Sequence, residues 1–541
     1  EVLGSATTAT TTVNITGSTD LQVNNADSGV PLRTWNAGTL DLIDAASKAG
    51  PFTGDLTTTV TGSGDVEVRG GEGENDLTFG EDVNATAIGG SQSDIFRFAS
   101  DGDDASFDPL DSVDGAGGDD ILEIEADEDE LLLAGVGANI TNVETIRHVT
   151  VDPITGVEDG LDADLTVDMS RSGSATTLVL GGLYDEENVT VTELTNADWV
   201  VYRPGLATGG IDEDIFNLTL MHASPLGLSD QINLRMDSQQ TTGQENEFEN
   251  QLIIDTGVEL LNLDSIGADG AADNNIDDAD DLDVDIVITG DHNLEIGVDD
   301  DAYDFANGVV DASAFTGDLE IHLGDFSQTV IGGSGDDLIR VENNSSIFFV
   351  FAENDTIDLS AGGSDIVRFD EATELDFGSL APQSPPEGGD YHHVLGFSVA
   401  DDIIQVDASS MSLDNTDSGS SVSGGDDVLL YDFVNGSNPN LNAGGTEYNF
   451  IKFTNAISTA GIDAEDAFTL AMAGGTINVD DANDEFLMAL YDTTNSQMLL
   501  FTVDAEGDGS IDGSDDIAVV STVGMSFADY QAFDGSNLQF V

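Results

Sequence analysis

The chain has 541 residues, and 107 acidic against 11 basic side chains leave a formal charge of −96, with lysine only at Lys48 and Lys452. Such a surface repels nucleic-acid phosphates and anionic lipid headgroups, so neither is a partner unless multivalent cations intervene. Zero cysteines exclude disulfides and thiolate metal sites, while 39% hydrophobic residues, 25 of them phenylalanine, exclude a disordered acidic tail.

From the N-terminus onward, short β-branched or aromatic runs alternate with Gly, Asp, Asn and Ser, the pattern of strands and turns. Residues 6–16 (ATTATTTVNIT) are β-prone and uncharged, and 12–16 are predicted as a strand. That strand either opens its own domain or adds to a neighbour's sheet edge. Residues 40–49 are predicted as a short helix. Residues 52–56 (FTGDL) introduce a Gly/Asp tract in which 70–77 and 89–96 resemble a G-G-x-G-x-D-x-U-x turn, with Asn75 and Asp94 at the aspartate position. Residues 115–120 repeat the theme with Asp119 and Asp120. The phrases NVETIRHV (142–149) and GVELLNL (257–263) read as strands opening β layers.

Residues 13–23 (VNITGSTDLQV) return as 287–296 (VITGDHNLEI), and FTGDL returns at 315–319, each copy preceded by an Asp-Ala step. This order points to an internal duplication, with copies at about 13–98 and 286–369. The second copy contains the sharpest motif, GGSGDDLIR at 332–340, which fits the nonapeptide at every specified position. Gly332, Gly333 and Gly335 permit the turn and expose carbonyls, Asp337 supplies a carboxylate and Ile339 points inward. These are the hard oxygen ligands that calcium takes. Steps of nine lead to Ser346 and Asp355, so two steps per coil predict Asp337 and Asp355 on one edge, one layer apart. A one-residue slip then brings Asp365 into the same role.

Pro382, Pro385 and Pro386 mark a linker before the region 390–541. There, 463–473 are predicted as a helix with acidic residues in its first turn and Gly474-Gly475 as its stop. Residues 504–515 (DAEGDGSIDGSD) place Asp504, Glu506, Asp508, the Ser510 carbonyl, Asp512 and Asp515 at positions one, three, five, seven, nine and twelve of an EF-hand-like calcium loop. Its left flank reads as a strand rather than a helix, so a calcium loop is expected but not a true EF-hand.

No H-E-x-x-H and no G-x-S-x-G occurs, and nothing selects a catalytic pair among the carboxylates, so no enzyme is expected. No stretch approaches the ~20 apolar residues of a spanning helix, so an integral membrane protein is not expected. The fold expected is all-β: several β-sandwich or β-roll-like domains with short parallel β-roll segments and few short helices. The domains expected are 1–126, 127–285, 286–370 and 390–541.

The nonapeptide at 332–340, the duplicated FTGDL units and the NVETI-like phrases resemble RTX-type calcium-binding secreted proteins, and within them bacterial surface-layer proteins. The resemblance implies type I secretion through a C-terminal tail, for which 533–541 are the candidate, and folding outside the cell when calcium binds. With it goes a calcium-dependent extracellular structural protein that assembles with copies of itself into a surface layer or filament at the cell surface. Cell-surface polysaccharide is a further partner it suggests. The alternatives are a secreted calcium-binding adhesin, the non-catalytic part of an RTX exoenzyme, and an acidic surface suited to high salt without specific ions.

Overall fold

The computed structural model describes residues 12–14, 21–22, 35–36, 42–44, 53–61, 63–80, 82–99, 107–125, 131–132, 134–150, 164–181, 187–203, 215–225, 229–239, 246–268, 271–276, 284–297, 308–323, 329–341, 355–369, 373–374, 392–409, 411, 413, 422–441, 448–459, 464–479, 485–505, 510–512 and 517–541. It is an all-β, β-roll-like protein with long parallel-strand sheets and two α-helices among the described residues. The chain divides into two compact units, Glu1–Ile276 and Asp277–Val541. No helix among the described residues is long and apolar enough to cross a membrane.

In unit 1 successive strands go largely by turns to different sheets, and every described pairing is parallel. Parallel strands need a crossover, and here a strand of the other sheet supplies it, so the chain winds in coils. Alternation within each strand sends one face inward. Leu77, Phe96, Leu122, Ile146, Leu178, Val200, Leu234 and Leu263 lie in register as one column. All are fully buried, and at about 1.5–3 kcal/mol per large side chain such columns supply the driving force.

The outward positions of the same sheet carry Arg97, Glu123 and Arg147 in register. Arg97 pairs with Asp76 and Glu123, and Arg147 also reaches Glu123. Eight of the nine arginines are described, and each sits against a carboxylate. The few cations therefore stitch sheet faces locally and leave the acidic turns uncompensated.

Two expectations are corrected in unit 1. Within the predicted helix 40–49, the described residues Leu42–Asp44 are a strand between Thr12–Asn14 and Gly64–Arg69, with Ile43 fully buried. Burial of Ile43 between two strands outweighs the local helix propensity of the Ala45-Ala46 pair. The sheet also does not break at 126: Ile121–Glu125 lies in register on Thr145–Val149, so 1–126 and most of 127–285 share one unit.

In unit 2 two parallel sheets recur, with Val310, Val330, Ile357 and Val394 as one buried column and Ile321, Ile339, Val367 and Ile404 as the other. Matching residues of the two segments pair alike. Leu21 pairs with Leu56 in the first copy and Leu294 with Leu319 in the second. In each FTGDL the aspartate accepts from a backbone N–H of the next coil: Glu74 N to Asp55 Oδ1 at 2.9 Å, and Asp336 N to Asp318 Oδ1 at 2.8 Å.

The coils stack so closely at the turns that only glycine fits. A Cβ on Gly335 would lie 2.1 Å from the Gly317 carbonyl oxygen, a backbone atom that cannot swing away. Gly335→Ala is therefore expected to destabilise unit 2 by about 2–3 kcal/mol, measured by urea unfolding; an unchanged midpoint would show the turns less tightly packed.

The C-terminal part adds antiparallel strands, Glu485–Asp492, Gln497–Asp504 and Ile517–Gly524. Helix α1 (Ala464–Met472) forms where its sequence predicts and buries Ala467, Phe468, Ala471 and Met472 against Phe453 and Phe501. Ala473 and Gly474 then take positive φ, 50° and 75°, and end it. In helix α2 (Phe527–Ala532), the Tyr530 hydroxyl lies 2.6 Å from the Phe453 carbonyl, and Lys452 Nζ donates to the Phe533 carbonyl just past its end at 2.6 Å. The candidate tail 533–541 is built into the fold: Leu538–Phe540 pairs with Ile403–Val406.

Candidate cation-binding turns

Several strands of the buried stacks are preceded by an acidic or amide side chain that turns back over its own loop or onto the neighbouring coil. In unit 1 these form a ladder: Asn75 N donates to Asp94 Oδ1 at 2.7 Å, Asp94 N to Asp120 Oδ1 at 2.7 Å, and Asp120 N to Glu144 Oε2 at 2.8 Å. Unit 2 repeats it: Leu319 N donates to Asp337 Oδ1 at 3.1 Å, Asp337 N to Asp365 Oδ1 at 3.1 Å, and Asp365 N to Asp402 Oδ1 at 3.2 Å. A second row runs beside it, with Ser364 N donating to Asp336 Oδ1 and Asp336 N to Asp318 Oδ1, both at 2.8 Å.

In three of the rungs the second oxygen closes its own turn through the N–H four residues earlier. Gly90 N reaches Asp94 Oδ2, Gly333 N reaches Asp337 Oδ2 at 2.7 Å and Ser398 N reaches Asp402 Oδ2 at 2.6 Å. Asp120 breaks the rule. Its fourth-preceding residue, Ala116, has φ +68° and donates instead to Asp114 Oδ1 at 3.1 Å. Asp120 Oδ2 is thereby left with no hydrogen-bond partner among the described residues, in a side chain that is 0% exposed. It looks over Gly115, where a Cβ would meet Asp120 Oδ2 at 2.2 Å and the Asn142 carbonyl oxygen at 2.0 Å. Those oxygens line the cradle that Gly115 leaves without a side chain.

The electrostatics follow from burial. Desolvation pushes Asp120 up to about 7, with Asp94, Glu144 and Asp119 adding to the rise. Desolvation likewise pushes Asp365 up to about 7 and Asp337 up to about 6, again with neighbouring aspartates contributing. Asp94 and Asp402 are raised by the same cause. Buried like charges one coil apart cannot all ionise unless something positive joins them.

Of the residues the sequence singled out, Gly332, Gly333, Gly335, Asp337 and Asp365 meet in the unit 2 turns, and Asp94 and Asp120 in the unit 1 turns. Asp119 sits beside its ladder, its N–H on Ser93 Oγ at 3.2 Å. Asp355 is a correction: it does not stack with Asp337. The coil before Asp337 spans 18 residues and the coil after it 28, so a step of 18 lands in the turn before Thr356–Asp358, which belongs to the other sheet. There Asp355 Oδ2 lies 2.9 Å from His392 Nδ1.

In the EF-hand-like loop, Glu506, Asp508 and Asp515 lie outside the described residues, as does Ser346 of the nine-residue steps. Asp504 ends a strand, and Ser510-Ile511 pairs antiparallel with Ile477-Asn478, Asp512 following it. The loop joins antiparallel strands rather than helices, as its left flank indicated.

Sequence reading missed Asp402, Glu144, Asp318 and Asp111. A usable signal exists for the first: Asp or Ser, then Asp, then Ile or Leu marks 93–95, 119–121, 336–338, 364–366 and 401–403 alike. Asp111, pushed up to about 6 by burial, accepts from Ala85 N at 2.7 Å and has no such signature. A separate cluster brings ligand atoms of Glu295, Glu320 and His322 within 4.8 Å of one another, although Arg340 already holds Glu320 at 2.6 Å. No family model, curated protein or solved structure matches the chain.

Proposed function

We propose that the chain is a calcium-dependent structural protein of the cell exterior, a non-catalytic subunit that assembles with copies of itself into a surface layer or filament. The observation that carries this reading is Asp120 Oδ2, fully buried and without a donor among the described residues, inside a stack of carboxylates. Such an oxygen is costly, about 1–3 kcal/mol, unless a cation or a proton meets it.

The donor set fits calcium, which takes carboxylate and carbonyl oxygens in number. In unit 1 the residues that would hold it are Asp94, Asp120 and Glu144 with the Asn142 carbonyl; in unit 2 they are Asp318, Asp336, Asp337, Asp365 and Asp402. Calcium would supply the charge that lets these groups ionise while buried. The same physics acts between molecules, because copies carrying −96 each repel unless divalent cations bridge or screen them.

The test compares the purified chain in calcium, in magnesium and after chelation, by circular dichroism and electron microscopy. Ordered sheets or fibres in calcium alone, with loss of β signal on chelation, are expected. Equal order in all three conditions would defeat the reading. Asp120→Asn separates calcium from protons: it keeps the acceptor for Asp94 N but removes the charge. The variant is expected to be about 1 kcal/mol more stable than the parent without calcium and to gain less from calcium in thermal melts. An undiminished gain would place the ion elsewhere.

A further inference from the structure

Each unit ends in a strand with a described neighbour on one side only. In unit 1, Thr12–Asn14 pairs with Leu42–Asp44; in unit 2, Leu430–Phe433 pairs with Phe450–Phe453; neither has a second partner among the described residues. A one-sided strand leaves a row of backbone N–H and C=O groups unmatched, and natural proteins usually blunt it with charge. In this chain acidic residues are abundant, yet the Thr12–Asn14 edge carries none and the Leu430–Phe433 edge only one.

Asp432, the one carboxylate of the Leu430–Phe433 edge, lies 3.8 Å from Lys452 Nζ, one of two lysines in the chain. The flanking Leu429 and Val434 are 42% and 54% exposed. Leu470, also exposed, belongs to the same corner: its helix α1 accepts Gly436 N on the Met472 carbonyl at 3.0 Å. Thr12–Asn14 is uncharged and lies within residues 2–19, the longest stretch without Asp, Glu, Lys or Arg. By contrast, the strand end at Leu538–Phe540 is closed over, with Gly425 N donating to the Phe540 carbonyl at 2.7 Å.

The occupant that suits an apolar-flanked edge on so acidic a molecule must bring backbone groups without negative charge, and every copy carries such an edge at Thr12–Asn14. Resting on the self-assembling reading above, we propose that the Leu430–Phe433 edge of one copy takes the Thr12–Asn14 edge of the next. The two patches differ, so the contact is heterologous and propagates as an open head-to-tail chain rather than closing on a dimer. Calcium lowers the general repulsion, and the paired edges set the direction of growth.

The test uses the whole 541-residue chain in calcium, by sedimentation velocity and electron microscopy, with circular dichroism to confirm folding. One variant carries Leu429→Asp with Val434→Asp, the other Thr12→Asp with Asn14→Asp. The parent is expected to elongate and each variant alone to stay monomeric. An equal mixture is expected to stop at dimers, because it holds one intact edge of each kind. If Leu429→Asp with Val434→Asp unfolds the chain, Val434→Lys replaces it with the same expectation.

Variants that polymerise like the parent would overturn this contact and leave calcium-dependent assembly standing. Loss of assembly in the 429/434 variant alone would overturn it in favour of that edge pairing with itself. Failure of the parent to assemble in calcium would overturn this inference together with the reading on which it rests.

Discussion

Replacing Asp337 and Asp365 together by alanine is expected to melt the stacked coils of unit 2. The pair accepts Leu319 N, Gly333 N and Asp337 N, and both side chains are 1% exposed. Truncation strands three buried donors at about 1–3 kcal/mol each, an appreciable part of the 5–15 kcal/mol that holds a typical domain. Hydrogen exchange should show protection lost first at Ile321, Ile339 and Val367, while the Leu77 to Leu263 column of unit 1 stays protected. Replacing Asp337 with Asp355 instead should disturb the Asp355–His392 contact without removing the Asp365 rung. Equal damage from the two pairs would contradict the register.

The second large effect is the dependence of stability on pH, and its sign reverses the usual one. Asp120 and Asp365 titrate near 7 and Asp337 near 6 in the folded chain, against an ordinary value of 3.8. Between about pH 4 and 7 the folded chain therefore keeps protons that the unfolded chain has released, and stability falls as pH rises through that window. Above about pH 7 this contribution is gone and the ladders repel. Calcium binds the deprotonated form, so its stabilisation grows with pH. Thermal melts of resin-stripped protein are expected to be highest near pH 5 and lowest near pH 8, whereas in millimolar calcium the decline is small or absent. A stripped protein whose melting temperature rises steadily from pH 5 to 8 would show that the buried carboxylates are not strained.

Much of this was legible in the sequence, for reasons that also explain where it was not. GGSGDDLIR specifies its turn locally, so Gly333 N on Asp337 and the burial of Ile339 follow from the motif alone. Helix α1 carried its own start and stop signals. A nine-residue phase, however, predicts stacking only while coils stay 18 residues long; the 28-residue step from Asp337 to Asp365 carries Asp355 into the opposite sheet. Coil length is decided by how loops pack, not by residues at fixed offsets. Leu42–Asp44 failed for a related reason, since its strand exists because Thr12–Asn14 and Gly64–Arg69 flank it. The orphaned Asp120 oxygen was beyond sequence reading altogether, because it depends on Ala116 taking a positive φ and turning its N–H to Asp114.

The most direct test of cation-filled ladders is anomalous scattering from crystals of the chain grown in a lanthanide that replaces calcium. Peaks beside Asp120 Oδ2 and along Asp337, Asp365 and Asp402 are expected. Saturated crystals with both rows free of metal, and Asp120 instead donating a proton to the Asn142 carbonyl, would contradict it.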